Sequence, residues 1–174
     1  KSEKDNLEKI KIMKKNVKDI LVASFYKETQ VGRSIGSSIK QGKEIKPKGF
    51  KRELLNSITR LRNLVDNKSI KNSDIRNEIK NLSERSGASI GQSQKVINVY
   101  LKFYCLFIDA PLEIIKELDC PLDSTTMEKK QKMKNVIDMK EYENWQNRFE
   151  KDFGIRLLRD WEYDSNRIKL SFED

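Results

Sequence analysis

The sequence predicts an all-α protein folded as a single helical domain, and three observations carry that expectation. Proline (3) and glycine (7) are too scarce among 174 residues for a sandwich or barrel built on many tight turns. The apolar and charged fractions are equal at 36% each, the balance of a helical protein with long solvated faces. Apolar residues recur three and four apart along most of the chain rather than alternating. A chain of this length is by default one domain and can bury a real core.

The elements follow in order. Residues 5–29 place Leu7, Ile10, Met13, Val17, Ile20, Leu21 and Phe25 at helical spacing with lysines between them, a long amphipathic helix. Residues 31–52, VGRSIGSSIKQGKEIKPKGFKR, break that pattern. They hold four of the seven glycines, Pro47, and the basic residues Arg33, Lys40, Lys43, Lys46, Lys48, Lys51 and Arg52 against Glu44 alone, a surplus of six in a net charge of +9. The expectation is a flexible basic loop, whose glycine amides and lysines suit phosphate contact. Residues 51–66 put Leu54, Leu55, Ile58, Leu61 and Val65 on one helical face, and residues 73–85 do the same with Ile75, Ile79 and Leu82.

After a glycine turn, VINVYLKFYCLFI is apolar on nearly every side and reads as the central buried helix, with Val96, Val99, Leu101, Tyr104 and Leu106 in the core. Ser89 and Gln92 have capping-box spacing at its start. DAPLEIIKEL follows as a short helix with Pro111 in its first turn. A proline-containing loop then leads to a helix capped by Asp123, Ser124 or Thr125. Asp138 and Glu141 repeat the capping pattern and open a helix carrying Tyr142, Trp145, Phe149 and Phe153, which ends at Gly154. Leu157, Leu158 and Trp161 are the expected anchors of the last twenty residues.

The charge balance narrows the function classes. A pI of about 9.4 favours a polyanionic partner: DNA, RNA or an anionic surface. No apolar run approaches the roughly 18 residues of a membrane span, so no membrane partner is expected. The absence of histidine excludes a His-based triad or proton shuttle. Cys105 and Cys120 are too few for a structural zinc site, and no other cofactor is called for. Cys105 lies in an apolar run and reads as a buried thiol; with no disulfide framework and no recognisable secretory signal, a reducing, cytoplasmic compartment is expected.

The run SGASIGQSQKVIN, residues 86–98, joins two helical stretches through Gly87 and Gly91 and sets Lys95 one helical turn beyond. This is the layout of a helix-hairpin-helix element, in which hairpin amides face a DNA phosphate. Further on comes Pro121-Leu122-Asp123 at an expected helix start. A glycine hairpin, a lysine in the opening turns of the next helix and a Pro-x-Asp loop together resemble the helix-hairpin-helix DNA glycosylase superfamily, most closely its 8-oxoguanine branch, over roughly residues 73–135.

The hairpin departs from the superfamily's usual Leu-Pro-Gly-x-Gly, and Thr125 stands where relatives often carry histidine. The resemblance implies double-stranded DNA as partner, Lys95 as the nucleophile that attacks the sugar carbon, Asp123 as the essential carboxylate, and phosphate contacts at Gly87 and Gly91. Arg33, Lys40, Lys43, Lys46 and Lys48 would add DNA contacts from the basic loop. Tyr142, Trp145, Phe149 and Phe153 are the candidate stacking surface for an extruded base. The alternative is a non-enzymatic basic helical module, such as a phage-related regulator or defence component, that binds nucleic acid or a partner protein.

Overall fold

The computed structural model describes residues 2–160. Among them the chain forms seven α-helices and one short 3-10 helix, with no strand. The helices are α1 (Glu3–Glu28), α2 (Val31–Lys40), α3 (Pro47–Asp66), α4 (Asn72–Ser86), α5 (Ile90–Phe107), α6 (Leu112–Ile115) and α7 (Met139–Phe153), with the 3-10 turn at Met133–Asn135. No described helix is long and apolar enough to cross a membrane.

Local signals set most of the boundaries. Ser2 and Asp5 form a capping box ahead of α1, and Pro47 occupies the first turn of α3. Gly87 ends α4 at φ +79°, a conformation glycine adopts without a Cβ penalty. Ser89 and Gln92 make the reciprocal capping box of α5. Asp138 accepts from the Glu141 amide at 2.8 Å to start α7, which Gly154 stops.

The core is built around α5, which packs against α1, α2, α3, α4, α7 and the 3-10 turn. Val96, Ile97, Tyr100 and Leu101 from α5 meet Phe50, Leu54, Ile58 and Leu61 from α3 and Ile75, Ile79 and Leu82 from α4, all essentially solvent-free. The sequence expectation for the central helix holds at Val96, Val99, Leu101 and Tyr104. It does not hold at Leu106, which is exposed together with Phe103 and Phe107 on the outward side of the end of α5, while Tyr104 and Cys105 of the same stretch face inward.

Two further expectations are corrected. Residues 31–52 are not a single loop: residues 31–40 are α2, and only 41–46 connect it to α3. Val31, Ile35 and Ser38 sit on one helical face and are buried, and the Gln92 amide donates to Ser34 Oγ (3.0 Å) and Ser38 Oγ (2.9 Å). That tertiary anchoring outweighs the poor helix propensity of glycine and serine. The segment after Asp123 is a series of turns rather than a helix, with Glu128 and Lys129 at positive φ. The long helix expected over residues 5–29 forms as α1, and its Leu7, Ile10, Met13, Val17, Ile20 and Leu21 are exposed. Of the expected tail anchors, Leu157 is buried, Leu158 is exposed, and Trp161 lies outside the described residues.

Leu101 is fully enclosed between α5 and its neighbours. Leu101→Ala is expected to cost about 2–5 kcal/mol through lost burial and the cavity left behind. Equilibrium urea unfolding checks this, and a loss within about 0.5 kcal/mol, typical of surface positions, would place α5 at the periphery.

Candidate functional site

Lys95 and Asp123 meet. The Lys95 Nζ lies 2.8 Å from Asp123 Oδ2, although 28 residues separate them. Both side chains are largely shielded, at 13% and 28% exposure. Lys95 is fixed by its place in the second turn of α5. Asp123 has no helix to hold it, so its position depends on how residues 119–122 are tied down.

Two buried glutamines do the tying. Gln94 accepts from the Leu122 amide (3.0 Å) and donates to the Leu122 carbonyl (2.8 Å) and the Gly91 carbonyl (2.9 Å). Gln146 of α7 treats Cys120 the same way, accepting from its amide (2.9 Å) and donating to its carbonyl (2.8 Å). Each side-chain amide thus takes the place of a strand neighbour, satisfying backbone groups that would otherwise be buried without partners. Just upstream, Asp119 is buried among Asn72, Arg76, Arg156 and Tyr142, accepting a hydrogen bond from each. Asn98 links the systems by donating to Gln94 Oε1 and to the Tyr142 hydroxyl, both at 2.9 Å.

Asp123 divides its two oxygens between structure and site. Oδ1 accepts from the Thr125 and Thr126 amides at 2.9 and 2.8 Å, while Oδ2 faces Lys95. Burial alone would raise the carboxyl pKa, but the Lys95 charge and hydrogen bond, with the two threonine amides, outweigh it and hold the group below the usual aspartate range. The neighbouring Cys120 thiol is pushed well up by burial and by the charges of Asp160 and Asp123. Burial pushes Cys105 up to about 12, so neither thiol is poised as a nucleophile.

The other candidates distribute unevenly. The Gly91 amide donates to the Val136 carbonyl at 2.9 Å, and a Cβ there would lie 1.8 Å from the Met133 carbonyl oxygen. Gly87 gives its amide to Ser83 and faces the Glu44 carbonyl, 2.4 Å from where a Cβ would be. Ala88, Ser89 and Gln92 also bond their amides inside the chain. The hairpin therefore uses its glycines for close packing of the chain on itself. Lys40, Lys43, Lys46 and Lys48 are exposed on and beside the α2–α3 connector. Arg33 is exposed and lines a separate groove of about 750 Å³ with Val22, Tyr26, Lys51 and Leu54. Neither Lys95 nor Asp123 lines that groove.

The four aromatics of α7 do not form one surface. Tyr142 is completely buried with its hydroxyl committed to Asp119 and Asn98, and Phe149 is in the core. Trp145 and Phe153 keep part of their rings accessible, Trp145 beneath the Arg148 guanidinium at 5.5 Å.

Sequence reasoning missed a basic recess beside Asp123. Ser124 lines it together with Lys129, Lys130, Lys132 and Lys134. Lys134 Nζ donates to Ser37 Oγ (3.2 Å) and Gln41 Oε1 (3.3 Å), joining the recess to the end of α2. The run MEKKQKMK, residues 127–134, was a visible signal, but an expected helix would have spread those lysines around its axis.

The depressed Asp123 carboxyl has a consequence for acid stability. Its contribution is fully present above the ordinary aspartate value of about 3.9 and is lost as pH falls through the lower, folded value. Asp123→Asn keeps an oxygen for the turn amides but removes the titration, so its unfolding free energy should fall less steeply than the wild type's below about pH 4. Urea titrations across acidic pH measure the two slopes; equal slopes would mean that the Lys95–Asp123 pair contributes nothing in solution. No family model, curated protein or solved structure matches this chain.

Proposed function

We propose that the protein is a DNA-binding base-excision enzyme, a DNA glycosylase in which Lys95 is the nucleophile and Asp123 the catalytic carboxylate. The observation that carries this reading is the 2.8 Å approach of Lys95 Nζ to Asp123 Oδ2, held by backbone clamps at Gln94 and Gln146. A merely solvated lysine on α5 would need no such support.

The chemistry follows from those positions. The amine must lose its proton before it can attack a sugar carbon, and Asp123 Oδ2 is within transfer distance of it. Substrate that displaces the remaining water favours the neutral pair over the charged one. The amine nitrogen then forms a bond to the anomeric carbon. The bond to the base breaks, and the base leaves with its electron pair and takes up the proton that Asp123 had received from Lys95, which returns Asp123 to the carboxylate. Asp123 stabilises the positive charge that builds on the sugar. Its other oxygen, anchored to the Thr125 and Thr126 amides, keeps it from following the lysine as the substrate enters.

The exposed lysines supply the affinity for DNA. Lys129, Lys130, Lys132 and Lys134 border the residue next to Asp123, and Lys134 connects them to Gln41 and the basic α2–α3 connector. With the hairpin amides committed inside the chain, phosphate contact falls to these side chains.

A second reading, a non-enzymatic basic module that binds nucleic acid, is favoured by a specific observation. The same Lys95–Asp123 pair also works as a clasp that closes α5 over the 119–126 segment, which needs no reaction to account for it. Borohydride trapping on duplexes carrying damaged bases separates the two. The wild type is expected to give a covalent adduct and Lys95→Gln none, with DNA affinity retained. Absence of an adduct from the wild type on every damaged duplex would leave the binding module as the reading.

DNA affinity should fall steeply with salt. Each phosphate contact contributes about 0.9 to the log–log slope, so the triple change of Lys43, Lys46 and Lys48 to Ala should flatten that slope by up to about three contacts' worth. An unchanged slope in a fluorescence-anisotropy salt series would remove the connector from the interface.

A further inference from the structure

Among the described residues, the first four turns of α1 have no partner. Residues 2–17 are exposed throughout, and the helix meets the body from Lys18 onward, where Lys18 reaches Asp66 and Asp19 reaches Arg62, both at 3.5 Å, and Val22, Phe25 and Tyr26 pack against it. That leaves a stand-off helix of about 24 Å at 1.5 Å per residue, a length that is marginal for an isolated helix in water. Yet it carries a continuous apolar stripe. Leu7, Ile10, Met13, Val17, Ile20 and Leu21 are 40% to 65% exposed. Ile10, Met13, Val17 and Ile20 follow the alternating three–four spacing of a coiled-coil seam. At about 100° per residue, this seam lies on the side of α1 opposite Asp19, Val22 and Tyr26, which meet the body through Arg62, the core and Phe50. A helix laid on the seam would therefore not collide with the domain that carries it.

We propose that the seam is the dimerisation surface of the protein, and that its occupant is α1 of a second copy running antiparallel. The proposal stands apart from the Lys95 reading. It rests on the seam's self-complementarity when reversed. Turning the helix end for end about Lys15 sets Ile10 opposite Ile20 of the second copy and Met13 opposite Val17. Beyond these apolar layers, Asn6 faces Ser24 and Glu3 faces Lys27, so polar meets polar and acid meets base. On the flank, Leu7 and Leu21 of the two copies face each other, and the only like-charge contact is Lys14 with its own symmetry mate. A parallel, in-register pair keeps the apolar layers but is worse at the ends, where Glu3 meets Glu3 and Lys27 meets Lys27, and on the flanks. It brings Lys9 against Lys14 twice and leaves Leu7 and Leu21 without apolar partners across the seam. The reversed arrangement is isologous and closes with two copies.

Sedimentation velocity of the full chain over a concentration series tests this. The wild type should move from the 20.5 kDa chain mass to twice that value as concentration rises. The double change Val17→Asp and Ile20→Asp should stay at the single mass, with unchanged thermal unfolding of the body, since neither side chain is in the core. Orientation is read from single cysteines under mild oxidation. Lys14→Cys should form a covalent dimer and Val17→Cys should not, because Val17 faces Met13 across the axis; the native Cys105 and Cys120 are buried and do not compete. A wild type that stays monomeric overturns the proposal, whether or not it then adheres to anionic vesicles. So does a double variant that remains dimeric. Cross-linking through Val17→Cys but not Lys14→Cys overturns the antiparallel arrangement.

Discussion

Asp119 carries a carboxylate into an interior where water cannot solvate it, and the arrangement around it ties together parts of the chain that share few apolar contacts. Arg76 reaches it from α4, Arg156 from beyond α7, Tyr142 from α7 and Asn72 from the first turn of α4. With charge of opposite sign on two sides and both oxygens hydrogen-bonded, the desolvation of the acid is offset. Loss of both arginines would leave the buried charge uncompensated, a change that costs roughly 3–5 kcal/mol in buried pairs. Hydrophobic packing joins α3, α4 and α5 and reaches α7 through Tyr142 and Phe149; the Asp119 cluster adds polar ties between α4, α7 and the segment that leads to Asp123.

That loop is the one that delivers Asp123. From Asp119 the chain passes Cys120, pinned by Gln146, and Leu122, pinned by Gln94, before reaching the carboxylate that meets Lys95. Three polar residues that never touch the Lys95 amine thus set where it finds its partner. The irregular backbone is as well determined as a helix because its amides and carbonyls are satisfied by side chains of rigid elements. The same polar groups are immersed in a packed layer that includes Ile97, Leu118 and Leu122, where a lost hydrogen bond has no water to replace it.

The parts of this design that were legible in the sequence are those written in local spacing. The capping residues of α5 and α7 and the burial of Val96 and Leu101 could be anticipated in this way, whereas the meeting of Lys95 with Asp123, 28 residues apart, was expected from a resemblance and not from spacing. Helix α2 could not, because Gly32, Gly36 and a run of serines argue against it locally, and only Val31, Ile35 and the Gln92 bonds to Ser34 and Ser38 make it form. Asp119 and Gln146 were invisible for a different reason. A lone acid or glutamine among many reads as surface until its partners, more than twenty residues away, are brought to it. Gln94 and Asn98 left a trace, two amides one turn apart on the helix richest in apolar residues, which marks a polar network inside the core. The α1 stripe shows the converse limit: periodicity identifies a face that wants cover without saying which surface covers it.

Gly91 limits how this protein can diverge. The Met133 carbonyl sits where the side chain of any other residue would begin, and the backbone there is helical, so conformational strain is not the obstacle. The obstacle is another piece of chain. A methyl group at this position would have to lever the 133–136 segment outward, and the lysines at 129–134 hang from that segment. The lysines themselves sit at the surface, where one basic side chain can stand in for another without disturbing the packing. The glycine that holds their platform down cannot be replaced in this way, so a descendant could exchange every charge on the recess more easily than it could gain one carbon atom beneath it.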